Sequence, residues 1–149
     1  MDLMSHRAAG WTIRLRRRSD NALIEELFRD CLTAFTWRGQ VTEEIIRLRH
    51  AISVSDCLVA SERDAGLIGF LVLERRKSYV SHLFVHDDWR LCGIGSGLLG
   101  VARDLVRSPL MLDVDIQNEH AMRAYKAMGW TETVGSGPAR PNQRRMSGP

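Results

Sequence analysis

Hydrophobic positions along this 149-residue chain change period several times, and each change marks an element. Trp11 to Arg16 alternates, with Trp11, Ile13 and Leu15 on one face, and predicts a first strand. Asp20 is placed to cap a helix in which Ile24, Leu27, Phe28, Cys31, Leu32 and Phe35 recur at helical spacing. A second helix, capped by Thr42, carries Ile45, Leu48 and Ile52. Cys57 to Ser61 and Leu67 to Glu74 read as strands joined by a turn ending at Gly66, and Ser78 to Val85 follows as a third. Gly69 inside the second of these signals a bulge or a close backbone approach. A helix after Gly95 buries Leu98, Ala102, Leu105 and Val106, and Met111 to Ile116 is a strand. That strand lies parallel to its predecessor if the helix is a right-handed crossover. Asn118 to Met128 forms the last helix, with Ala121, Tyr125 and Met128 inward and Gly129 ending it, and Trp130 to Val134 begins a strand. Residues 1 to 10 read as a loose leader. From Gly135 the composition is one that need not fold, apart from a short edge strand at Arg144 to Met146. The order βααβββαβαβ predicts one domain, an α/β sandwich around a mixed, mostly antiparallel sheet with helices on both faces.

The turn between the third strand and its helix, Arg90-Leu91-Cys92-Gly93-Ile94-Gly95, brings chemistry into that pattern. A glycine turn feeding a helix N-terminus presents unpaired backbone N–H groups and the positive end of the helix dipole, a site for phosphate oxygens. It is not a P-loop, because no Gly-Lys-Ser/Thr closes it, nor a dinucleotide turn, because Leu98 stands where the third glycine belongs.

Charge and cysteine usage narrow the classes. The net charge is +3, nearly all of it from arginine, which permits an acidic ligand without requiring one. The densest cluster, Arg14 and Arg16 to Arg18, has no interleaved aromatics for base stacking, which argues against nucleic-acid binding as the main role. Cys31, Cys57 and Cys92 are an odd count without a Cys-x-x-Cys pair, which points to a reduced cytoplasmic protein with no disulfide frame and no metal site. No apolar run reaches membrane-spanning length, and the first residues lack a signal peptide's apolar core.

Arg90, Gly93 and Gly95 fill the Arg/Gln-x-x-Gly-x-Gly/Ala signature of the acetyl-CoA loop, and the stretch resembles that of the GCN5-related N-acetyltransferase (GNAT) superfamily. Asn118, Ala121, Tyr125, Gly129 and Trp130 match a second motif of the family, and Leu83-Phe84-Val85 resembles the segment that precedes its loop. The likeness covers about residues 11 to 134. This chain lacks a proline near Asp87, and a glycine and a basic residue at Leu91 and Cys92, where many members have them. The loss weakens the expected side-chain grip on phosphate and leaves the backbone donors untouched. The short polar C-terminus predicts a last strand that is reduced or supplied by a second subunit, leaving monomer and homodimer both open.

The resemblance implies direct transfer of an acetyl group from acetyl-CoA to a primary amine in a ternary complex. It assigns cofactor contacts to Leu91, Cys92, Gly93, Ile94, Gly95 and Ser96, to Arg90, and to Asn118. It also implies that the parallel strands splay, so that the pantetheine amides pair with Leu83 to Val85 and a free N–H near Phe84 or Val85 faces the acetyl carbonyl. Tyr125 is the expected acid for the leaving thiolate and Asp113 the expected base, with Asp115 on the same face and His82 a second candidate. Cys92 reads as incidental and not as a nucleophile. Trp37, Arg38 and Glu43 are expected at the acceptor, which is a small amine or a protein N-terminus. Charged tRNA as acceptor, a non-catalytic acyl-CoA sensor, or an RNA-binding module are the alternatives, the last predicting retention that weakens steeply with salt.

Overall fold

The computed structural model describes residues 2–6, 8–35, 37–90, 92–133, 137–138 and 140–149. Its elements are β1 (Asp2–His6), β2 (Trp11–Leu15), α1 (Asn21–Leu32), α2 (Val41–Val54), β3 (Asp56–Glu62), β4 (Gly66–Glu74), β5 (Tyr79–Val85), α3 (Ile94–Val106), β6 (Met111–Asp115), α4 (Glu119–Ala127), β7 (Thr131–Glu132) and β8 (Gln143–Ser147). The strands form one sheet in the order β1-β2-β3-β4-β5-β6-β8-β7, antiparallel throughout except for β5 beside β6.

β4 reads as a nearly unbroken apolar run because helices cover both of its faces. Ile68, Leu71 and Leu73 join Leu98 and Ala102 of α3 in one core, with Ala121, Met122 and Tyr125 of α4 packed against it. Phe70 and Val72 join Ile24 and Phe28 of α1 and Leu48 of α2 in the other. Gly69 sits where α3 presses on the sheet. A Cβ there would lie 3.2 Å from Ile94 Cγ2 and 3.3 Å from the Phe84 carbonyl, so the close approach expected at this position is present.

Two register features open the sheet. Val72 pairs with His82 while Leu73 pairs with Val80, so Ser81 is an extra residue bulging from β5. The parallel ladder between β5 and β6 consists of Tyr79 opposite Met111 and Val80 opposite Leu112, and stops there. Beyond it the two strands part, β5 staying with β4 and β6 with β8.

Several expectations are corrected. Residues 2 to 6 of the supposed leader form the edge strand β1, exposed along its length but paired with β2. The tail supplies β8, which is no edge strand: it lies between β6 and β7, and residues from Gln143 to Ser147 pair along the whole of β6. The last strand therefore comes from this same chain. Asp20 makes no side-chain cap on α1, because Arg14 and the Arg17 amide occupy its carboxylate at 2.7 to 3.0 Å. α2 starts at Val41 with Gln40 before it, so Thr42 lies inside the helix. Val134, the expected strand end, falls outside the described residues.

Candidate active site

Gly93 has φ +80°, a left-handed conformation that glycine adopts without strain, and it turns the chain into α3. The first bond of the helix ladder runs from the Gly97 amide to the Gly93 carbonyl at 2.8 Å. The amides of Ile94, Gly95 and Ser96 therefore lack partners within the helix and project at its positive end. This helix end opens into a cleft of about 500 Å³, whose walls include Trp37, Leu83, Phe84, Val85, Arg90, Gly93, Ile94, Gly95, Ser96, Asn118 and Tyr125. Eleven residues singled out from distant parts of the sequence thus come together. Cys92 is exposed and outside the cleft lining, Glu43 is exposed on α2, and Leu91 lies outside the described residues.

The cleft runs into the gap left by the parting strands. The His86 amide donates to the Ile68 carbonyl at 2.8 Å, so alternation turns the Phe84 backbone toward β4 and that of Leu83 and Val85 toward the gap. Of the two amides expected near the acetyl carbonyl, that of Val85 therefore faces the gap. A narrower recess of about 110 Å³ continues from the cleft, sharing Phe35, Leu83, Phe84, Asn118, Ala121 and Tyr125 with it. Arg38, Ser81, His82, Asp113 and Asp115 line its far side.

Asn118 serves twice: it caps α4, its Oδ1 accepting from the Ala121 amide at 3.2 Å, and it lines both spaces. Tyr125 projects from α4 with its ring 5.5 Å from that of Trp130. Among the described residues its hydroxyl meets no hydrogen-bond partner, and burial pushes it up to about 12.

The carboxylates are heavily engaged. Asp113 takes both arms of Arg145 at 3.0 Å and the Tyr79 hydroxyl at 2.7 Å, which leaves it poorly placed as the expected base. Asp115, 4% exposed, accepts from the Trp37 indole at 3.0 Å, Arg38 Nε at 2.8 Å and Gln143 Nε2 at 2.8 Å. Burial alone would raise its carboxyl, but the bonds from Arg38, Gln143 and Trp37 outweigh that and hold it below the ordinary carboxylate range. Glu44 is likewise buried and held low, by Arg140 at 2.8 and 3.1 Å and by Arg38 at 3.5 Å. Sequence reasoning missed this network. Its readable trace is the pair Asp113 and Asp115, two apart on β6, facing Arg145 and Gln143, two apart on β8.

His82 lies against Phe28 edge-on, with ring centroids 5.7 Å apart, and its Nδ1 is 2.9 Å from the Ser81 hydroxyl. Burial first, and then the Arg38 charge, push its imidazole from the ordinary 6.5 down to about 4. Folding therefore favours the neutral ring. That contribution is fully present above pH 6.5 and is lost as pH falls toward 4, about 3 kcal/mol in total at about 1.4 kcal/mol per unit. Urea denaturation at pH 7 and pH 5 should show His82→Leu losing about 2 kcal/mol less than the native protein over that step. Equal losses would remove His82 as the cause.

The acetyltransferase (GNAT) domain family matches residues 25–140. No curated protein matches the sequence. Among solved structures, apo-form YjaB of Escherichia coli has a TM-score of 0.74 at 22% identity, over 92% of this chain and 96% of that one. yncA of Salmonella typhimurium, solved with acetyl-CoA, has a TM-score of 0.65 at 19% identity, over 92% and 91%. Naa50 of Arabidopsis thaliana, in complex with the bisubstrate analogue CoA-Ac-MVNAL, has a TM-score of 0.65 at 19% identity, over 93% and 97%. At these identities the likeness establishes the shared fold, while the family match covers most of the chain. The protein belongs to the GNAT acetyltransferase family.

Proposed function

We propose that this protein transfers an acetyl group from acetyl-CoA to the nitrogen of a primary amine by direct attack in a ternary complex. The observation that carries the reading is the continuous space from the N-terminus of α3, through the gap between β5 and β6, to Tyr125. The amides of Ile94, Gly95 and Ser96, without partners within the helix, and Arg90 at the rim suit a pyrophosphate. The edges of Leu83 and Val85 and the Asn118 side chain suit the amides of a pantetheine arm. Acetyl-CoA, when bound, supplies the activated acetyl group. The Val85 amide would stabilise charge on the carbonyl oxygen, and the Tyr125 hydroxyl would donate to the leaving sulfur. An ammonium acceptor has to lose a proton, at a pKa of about 10. Asp113 could take it only by releasing Arg145 or Tyr79, which favours water in the cleft as the route.

The test is amine-dependent release of free thiol from acetyl-CoA, run beside binding to a Gly95→Asp variant. A Cβ at Gly95 meets nothing within 4 Å, and an acidic residue in the first turn of a helix favours the dipole. The variant should fold as well as the native protein, yet bind acetyl-CoA about 10-fold or more weaker through repulsion of the phosphates. Binding without thiol release for any amine would favour the sensor reading. Undiminished binding by Gly95→Asp would overturn the assignment of the loop.

A further inference from the structure

Among the described residues Arg38 is the one arginine lining the recess, and it is fixed there from several directions. Its Nε donates to Asp115 at 2.8 Å and its Nη1 reaches Glu44 at 3.5 Å. The guanidinium lies 5.8 Å over the Phe35 ring and 5.9 Å over that of Phe84, with the side chain 17% exposed. Among the described residues nothing accepts from its Nη2. A guanidinium this constrained, with donors left over, is preorganised for a planar oxygen pair.

We propose that Arg38 receives a carboxylate on the acceptor, so that the acceptor class is a small primary amine bearing a carboxylate near its nitrogen, as in a free amino acid. This inference rests on the acetyl-transfer reading. The surrounding charges permit it. From α2, Glu44 is committed to Arg140 through two bonds; from β6, Asp113 is committed to Arg145 and Asp115 already holds three donors. From β5, His82 is a neutral ring. Three carboxylates face three guanidiniums, so directional N–H donors, and not net charge, select the ligand. Size agrees: about 110 Å³ lies well below the roughly 300 Å³ at which drug-sized ligand pockets begin, which suits a carboxylate and a few carbons. The recess also adjoins Tyr125, so a carboxylate in it leaves the amine at the reacting end.

The experiment compares matched pairs: L-phenylalanine with 2-phenylethylamine, L-lysine with cadaverine, and L-methionine with 3-(methylthio)propylamine, together with a tetrapeptide bearing a free N-terminus. Each is read both by thiol release from acetyl-CoA and by calorimetric binding in the presence of CoA. At least one amino acid should exceed its decarboxylated partner by about 10-fold or more in kcat/KM and in affinity, the scale of a hydrogen bond to a charged group. Arg38→Gln should bring that ratio to about unity with acetyl-CoA binding unchanged, and Arg38→Lys should restore only part of it. Equal or better use of the decarboxylated amines, preference for the tetrapeptide, or a preference that survives Arg38→Gln would each overturn the inference. Amino-acid binding that depends on Arg38 without thiol release would sink acetyl transfer and leave the subsite standing. Neither release nor such binding would sink both.

Discussion

Tyr125→Phe is expected to lower amine-dependent thiol release by about 100-fold or more while leaving acetyl-CoA affinity within about 3-fold of native. The ring would keep its packing against Trp130, and the hydroxyl makes no hydrogen bond among the described residues, so little stability is at stake. Burial holds the hydroxyl at about 12, well above the range of about 8.5 for an ordinary thiol. Full proton transfer to a leaving thiolate would therefore run uphill, so in the proposed mechanism Tyr125 would donate a hydrogen bond to the developing charge and keep its proton. The rate should accordingly show no loss from Tyr125 ionisation up to about pH 10, because the proton stays on oxygen there. A Tyr125→Phe protein that turns over at the native rate would remove Tyr125 from the chemistry.

Asp115→Ala is expected to destabilise the protein by about 3 to 5 kcal/mol, the scale for removing one member of a buried ion pair. The change strands three donors together: the Trp37 indole, Arg38 Nε and Gln143 Nε2. Trp37 and Arg38 belong to the connection between α1 and α2, and Gln143 to β8, so one carboxylate ties both segments to its own strand β6 at the recess. Asp115→Asn keeps the shape and one acceptor oxygen and should lose less, about 1 to 3 kcal/mol. Urea denaturation at pH 7 checks both. The same carboxylate makes the native protein acid-sensitive: its depressed pKa contributes stability above the ordinary 3.8 that is lost as pH falls through the lower folded value. A loss below about 1 kcal/mol in Asp115→Ala would show that the network is not coupled to folding.

The expected residues that the structure gathers at the cleft share one property: their signal is local. β5, the glycine turn and α3 lie within one continuous stretch, so strand composition, the turn and helical periodicity can be read together. The positions of Arg90, Gly93, Gly95, Asn118 and Tyr125 follow from motifs of the same short range. Helix starts were less legible. Asp20 has the chemistry of a cap, but Arg14, six residues earlier, takes its carboxylate instead.

The ends of the chain were misread for a different reason. Asp2–His6 shows no alternation because the strand is exposed along its whole length and is held by pairing with β2. Gln143–Ser147 reads as a polar tail with a short edge strand at Arg144 to Met146, yet it pairs in full with β6, where Arg145 faces Asp113 and Gln143 faces Asp115 while Met146 fills the core. Complementary polar groups leave no hydrophobic pattern, so the full length of this strand and its place inside the sheet are visible only beside its partner.

By itself the sequence determined the element types from β2 to α4, the two-faced burial of the sheet, and the phosphate-suited turn before α3, since each depends on residues within a few turns of one another. The tertiary structure alone decided where the parallel ladder stops, which amide faces the gap, and which carboxylates are already taken. Trp37 meets Asp115 across 78 residues and Arg140 meets Glu44 across 96. Pairings at that distance are set by how the sheet and helices pack, and no local period in the chain encodes them.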